Sequence, residues 1–160
     1  MSSQVLRPQA IEEHGLAAWI QFLRSHAALT RQLSARLEAR HGLSLRDYDV
    51  LVQLYWAPDR RLRRIDLART VLLSPSGVTR LLDGLERAGW VAKDQCAADA
   101  RVTYAVLTES GVDKFEQARV QHLADIQELF GSRFTPEECD RLEELLGRLP
   151  LADAGPCNHE

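Results

Sequence analysis

Apolar residues recur every three or four positions along most of the chain, which is the spacing of a helix that buries one face. This period predicts a first long helix over 10–40, ended by Gly42. Ser44 is a typical N-cap, and it precedes a second apolar stripe in LRDYDVLVQLYW. Similar stripes predict four more helices. They run over 64–71, over 75–88 with Gly89 closing the helix, over 108–130, and from Pro136 to about Leu149, the last opened by the start signal Thr135-Pro136-Glu137-Glu138.

Two short segments that follow the fourth helix in sequence alternate apolar and polar residues instead of repeating every three or four positions. Trp90–Gln95 and Val102–Leu107 are predicted as strands, joined by a short polar tip into a hairpin. A short extended piece is expected around Leu62. Three central helices followed by a hairpin are typical of a winged helix-turn-helix. The predicted fold class is therefore mainly α, a winged helix-turn-helix with a two-stranded β-hairpin wing, flanked by N- and C-terminal helices.

The helices at the two ends of the chain have apolar stripes but too little partner surface within one chain. We therefore expect a single unit over 1–160, in which 44–107 form the winged lobe. The segments 10–41 and 109–149 are predicted to be dimerisation helices of a two-fold homodimer.

The fourth helix has a polar face that suits DNA. Ser74 caps it and Pro75 fits its first turn, while Ser76, Thr79 and Arg80 lie opposite the apolar stripe. Small hydroxyl side chains permit close approach to a major groove, and Ser, Thr and Arg can bond base edges or phosphates. These positions are therefore predicted to contact DNA.

The net charge of −3 is unevenly distributed along the chain, so it does not argue against nucleic-acid binding by the middle of the chain. Residues 108–160 hold five basic and twelve acidic side chains, so the acidic excess is confined to the C-terminal third. The middle carries the cluster Arg60, Arg61, Arg63 and Arg64, of which Arg64 is predicted to meet phosphate. The alternative is a solvated loop, because arginine runs are common on surfaces.

Other features of the 160 residues exclude several classes. The three cysteines include no CxxC pair, and the five histidines lack metal-ligand spacing, so no metal site is predicted. The sequence has no nucleophile elbow, P-loop, GxGxxG or HExxH, so neither an enzyme nor a cofactor is expected. With no signal peptide and no membrane span, the expected location is the cytoplasm.

The ordered set of segments resembles the MarR (multiple antibiotic resistance regulator) family of transcription factors. The matching segments are LSLRDYDVLVQLYWAP, LRRIDLARTVLLSPSGVTRLLDGLERAGWV and DQCAADARVTYAVLTESG, with the D-x-R element of the family's wing at Asp99-Ala100-Arg101. The resemblance implies a homodimer on a pseudo-palindromic, double-stranded operator, with Ser74, Ser76, Thr79 and Arg80 on the recognition helix. It also implies that Arg101 enters the minor groove, held by Asp99. Cys96 departs from the acidic residue that many members have at the start of the wing loop.

Aromatic residues fall where the family often binds small phenolic or aromatic acids. The candidate ligand contacts are Trp19, Phe22, His26, Tyr48 and Tyr55. The alternative for each is core or dimer packing. The resemblance thus predicts a repressor that such a ligand releases from DNA. A rival prediction is a winged-helix module that binds other proteins and no DNA.

Overall fold

The computed structural model describes residues 13–71, 75–95 and 101–149. Within these ranges the chain forms six α-helices and three strands. The helices are α1 (Glu13–His41), α2 (Leu45–Trp56), α3 (Arg64–Thr70), α4 (Pro75–Arg87), α5 (Glu109–Leu129) and α6 (Pro136–Leu146). The strands are β1 (Arg61–Arg63), β2 (Val91–Gln95) and β3 (Thr103–Leu107). The predicted fold class is confirmed.

Helix ends follow local chemistry closely. Ser44 caps α2 in a capping box, in which its hydroxyl accepts from the Asp47 amide and the Asp47 carboxylate accepts from the Ser44 amide. Thr135 and Glu138 form the same arrangement at α6. Gly42 and Gly89 lie in the left-handed region, with φ of 63° and 78°, and they follow α1 and α4 as predicted.

The sheet has one strand more than the predicted wing. β1 pairs antiparallel with β3, and β2 pairs with the other edge of β3, so the order is β1-β3-β2. The link from α2 to β1 turns sharply through Asp59 and Arg60, whose φ values are 54° and 52°. The extended piece expected around Leu62 is therefore a sheet strand whose partner lies some forty residues away.

The hydrophobic core joins the winged lobe to one end of α1 and to the first half of α5. Its fully buried members include Leu43, Leu51, Leu67, Leu82 and Phe115. By contrast, α6 buries none of its residues, and the N-terminal half of α1 leaves Leu16, Trp19, Ile20 and Leu23 exposed. The sixth helix ends at Leu146, earlier than the predicted Leu149, because Gly147 caps it and the chain continues as a turn.

Candidate nucleic-acid interface

Helix α4 separates an apolar face from a polar one. Val78, Leu82 and Leu85 are buried at helical spacing and hold α4 against the core. The opposite face is exposed and carries Ser76, Thr79, Arg80, Asp83 and Arg87. Three of these side chains are predicted contacts. Asp83 and Arg87 were missed, although their spacing of three and seven residues from Arg80 places them on the same face.

Arg64 lies differently from the other predicted contacts. Its Nη2 donates to Glu86 Oε1, so it ties the first turn of α3 to the last turn of α4. Only 21% of the Arg64 side chain is exposed, and its Nε is buried without a hydrogen-bond partner among the described residues. This ion pair joins the two helices of the helix-turn-helix. Its role in phosphate contact stays a prediction.

The wing places Arg101 at its outer end. Arg101 is exposed and lies two residues before β3 begins. Behind it, the Arg61 guanidinium stacks 4.0 Å from the centroid of the Tyr104 ring and pairs with Asp94 at 3.5 Å. These contacts cross all three strands and stiffen the base of the wing. Two predicted DNA contacts, Ser74 and Asp99, lie outside the described residues.

The predicted ligand contacts form two separate groups of rings. On α1, Trp19 stacks on Phe22 with centroids 6.1 Å apart, and Phe22 stacks on His26 at 6.2 Å. All three side chains are exposed, with Trp19 at 55%. Such a row of exposed rings on one helix face is unusual for a solvated surface.

The second group lies between α2 and α5. Tyr48 is 6% exposed and packs against His122 at a centroid distance of 4.4 Å, while Tyr55 contacts Phe115 at 4.5 Å. The Tyr55 hydroxyl donates to Glu116 Oε1 at 2.9 Å. Burial raises the pKa of Tyr48 to about 12, so its hydroxyl is a neutral donor at any physiological pH. Among the described residues, no ring contact joins this group to the rings on α1.

Phe115 and His122 are the residues of this second group that the sequence analysis missed. They lie seven residues apart on the buried face of α5, a spacing that is visible in the sequence. The Nδ1 of His122 has no hydrogen-bond partner among the described residues. Burial lowers the pKa of His122, so the ring is neutral near pH 7.

A buried carboxylate joins α1 to α5 beside these rings. Asp125 is 3% exposed and accepts hydrogen bonds from Arg36 and Arg40 at 2.8–2.9 Å. Burial by itself raises the pKa of Asp125, but the hydrogen bonds from the two arginines outweigh it and lower the pKa overall. Arg36 also pairs with the exposed Glu128 at 2.8 Å.

Neither a metal site nor a membrane span is found in the described part of the chain. No three His, Cys, Asp or Glu side chains of the described residues lie close enough together to hold a metal ion. No helix in the same ranges combines the length and apolarity that crossing a bilayer requires.

Comparison with known proteins places these features in a family. The model of the MarR family matches residues 43–103, from just before α2 to the first residue of β3. YkoM of Bacillus subtilis, an uncharacterized HTH-type transcriptional regulator, is 33% identical over 113 residues, which are 71% of each chain. The chain belongs to the MarR family of transcriptional regulators. The MarR match spans every position predicted to contact DNA and leaves the rings on α1 outside it.

A second curated relative and a solved structure are also similar to this chain. The transcriptional repressor YetL of Bacillus subtilis is 32% identical over 69% of this chain and 66% of its own. Sco3205 of Streptomyces coelicolor is a MarR family regulator whose structure was solved in complex with DNA. It superposes with a TM-score of 0.82 at 27% identity, over 92% of this chain and 96% of its own.

Proposed function

We propose that this MarR protein is a homodimeric repressor that binds a pseudo-palindromic DNA operator and is released by a small aromatic or phenolic ligand. The observation that carries the proposal is the division of α4 into a buried apolar face and an exposed face of Ser76, Thr79 and Arg80. The solved complex of Sco3205 with DNA supports the DNA-binding role, and the name of YetL supports repression.

The proposed DNA contacts are made by the N-terminal part of the recognition helix and by the wing. Each α4 enters a major groove with Ser74, Ser76, Thr79 and Arg80 toward the bases and phosphates. Arg101 enters the adjacent minor groove, held by Asp99, because a narrow minor groove attracts a guanidinium. Arg64, being paired with Glu86, positions α4.

The homodimer is supported by the apolar surface that one chain leaves uncovered. Leu16, Ile20 and Leu23 on α1 and Leu145 on α6 are each about two-fifths exposed. The region 109–149 also exposes Leu123 by half. Association of two copies through 10–41 and 109–149 would cover this surface and set two winged lobes (44–107) on one face of DNA.

The ligand site is placed at the aromatic rings of the dimerisation helices and α2. Exposed Trp19, Phe22 and His26 offer flat faces, and the Tyr55 hydroxyl, which donates to Glu116, can still accept a hydrogen bond. Tyr48 is buried, so a ligand would reach its hydroxyl only if α2 and α5 separate there. A planar phenolic acid fits this combination of stacking surface and hydrogen-bond groups. The two groups do not touch in one chain, so a ligand that bridges them would bias the arrangement of lobe and dimerisation helices.

The decisive experiment for DNA binding is selection from a randomised duplex library with the full chain, followed by affinity measurement at increasing salt. We expect an enriched inverted repeat with half-sites about 10 base pairs apart, and affinity that falls steeply with salt because phosphate contacts release counterions. Without enrichment, or with affinity insensitive to salt, the DNA-binding proposal would be refuted and the protein–protein module favoured.

Ligand release has its own test. Salicylate and a panel of simple phenols are titrated into the complex of protein and selected duplex, and thermal unfolding of the free protein is followed in parallel. A ligand at 100 times its Kd should stabilise the fold by about 2.7 kcal/mol and lower DNA affinity. The response should be lost in Trp19→Ala and kept in Gln117→Ala, an exposed α5 substitution. An unchanged response in Trp19→Ala argues against this site.

A further inference from the structure

The turn between α4 and β2 rests directly on the N-terminus of α5. The Trp90 amide donates to the Leu85 carbonyl at 3.0 Å, which closes α4 in a Schellman motif around Gly89. The Trp90 carbonyl then accepts from the Thr108 amide at 3.1 Å, and the Thr108 hydroxyl donates to the Gly89 carbonyl at 2.7 Å. Two hydrogen bonds therefore join the end of α4 to the cap of α5.

Gly111 brings the backbones into contact. A Cβ at this position would lie 2.0 Å from the Trp90 carbonyl oxygen, a distance that no side chain tolerates. The Gly111 amide also donates to the Thr108 hydroxyl at 3.0 Å. One turn further, the Lys114 ammonium lies 4.8 Å from the centroid of the Trp90 ring. We call these four residues, Trp90, Thr108, Gly111 and Lys114, the Trp90 joint.

The Trp90 joint connects the two parts of the chain that the proposed function separates. α4 carries the exposed polar face, and α5 belongs to the dimerisation helices. Because the joint combines backbone hydrogen bonds with a backbone contact that leaves no room for a methyl group, a tilt of α5 must tilt the end of α4. The pair Arg64–Glu86, in contrast, ties α4 only to α3 of the same lobe.

We propose that the Trp90 joint determines which half-site spacing the dimer accepts. This inference rests on the proposed function, since it requires a dimer that reads two half-sites. One base pair added between half-sites moves them apart by about 3.4 Å and rotates one against the other by about 35°. A stiff joint holds each α4 at one angle to the dimer axis and rejects such a site. A loosened joint lets α4 follow it.

The test uses the duplex recovered by selection and two derivatives, with one base pair inserted or deleted at its centre. Affinities of the full chain are compared with those of Thr108→Val, Gly111→Ala and Lys114→Met. Thr108→Ser keeps the hydroxyl and is the matched rescue. Ser110→Ala, at an exposed position in the same turn of α5, is the neutral control. Sizing and circular dichroism confirm that each variant is folded and dimeric.

The wild-type chain and both controls should lose about tenfold or more on either derivative. In Thr108→Val and Gly111→Ala this loss of affinity should shrink to about threefold or less. Lys114→Met should show a loss between that of the wild type and that of these two variants. If Gly111→Ala does not fold, the other two variants carry the test. The proposal would be overturned by variants that lose affinity for all three duplexes by the same factor, because their preference for one spacing would be unchanged. It would also be overturned if the wild-type chain bound the three duplexes equally well. A wild type that enriches no duplex refutes the proposed function itself.

Discussion

Replacing Asp125 by Asn tests whether a buried carboxylate holds α1 to α5. The substitution keeps the shape of the side chain but removes its charge, and it turns an NH₂ group toward two arginines. Three hydrogen bonds from Arg36 and Arg40 end on this carboxylate. A charge-assisted bond of this kind contributes about 1.5–3 kcal/mol.

The arginine side chains are 26% and 44% exposed, so water replaces part of what they lose. Asn also keeps one accepting oxygen. We therefore expect Asp125→Asn to lower the free energy of unfolding by about 2–3 kcal/mol, below the full penalty for a broken buried pair. The matched control is Glu128→Gln, which removes the other carboxylate bound to Arg36. Because Glu128 is 64% exposed, its effect should be only a small part of that of Asp125→Asn.

The assay is urea denaturation followed by circular dichroism, at one fixed protein concentration because an associating protein gains stability with concentration. The pKa of Asp125 is lowered in the folded chain, so its contribution is complete above the unfolded pKa of about 4 and is lost as pH falls through the folded pKa. The difference between wild type and variant should therefore be constant near neutral pH and shrink only below about pH 4. A difference no larger than that of Glu128→Gln would refute this role for Asp125.

Three further predictions concern DNA, association and pH. Arg101→Ala should weaken operator binding by about 1–3 kcal/mol in a fluorescence assay while sizing still shows a dimer; a monomer, or unchanged affinity, would contradict the wing assignment. A chain ending before Thr135 should sediment as a monomer and bind DNA weakly, and a truncated dimer would contradict the role given to α6. Burial lowers the pKa of His122, so the unfolded chain takes up its proton first as pH falls through about 6.5 and stability should decline from there. His122→Gln should flatten this decline in urea denaturation, and an unchanged slope would assign it to other groups.

Features encoded within a few neighbouring residues could be predicted from the sequence. Ser44 and Thr135 each cap a helix by bonding an amide three residues on, so both helix starts were correctly placed. Gly42 and Gly89 were recognised because a left-handed residue after a helix is most often glycine. The polar face of α4 was visible for the same reason, since it depends only on helical spacing.

Features that join distant residues left no local signal. β1 has three residues, too few to show a period, and it is a strand only because β3 pairs with it. The partners of Asp125 lie 85 and 89 residues away. Arg64 has the composition of a DNA contact, and only the fold shows that Glu86 lies within reach of it. The sequence thus showed that Arg64 could pair with an anionic group, and only the tertiary structure shows that this group is the Glu86 carboxylate.

Helix α6 has a consequence for how the protein responds to its own abundance. It has 11 residues, none of them buried, and isolated helices of this length are marginal in water. In the proposed homodimer the partner chain would cover this helix, and folding of α6 and association of two chains would then be a single equilibrium. Dilution should then melt α6 as it separates the chains, and helicity should depend on protein concentration. In a cell with few copies of the protein, α6 would be unfolded in most chains. The protein concentration needed to occupy an operator would then depend on dimer formation as well as on affinity for DNA, so rates of synthesis and degradation would control occupancy.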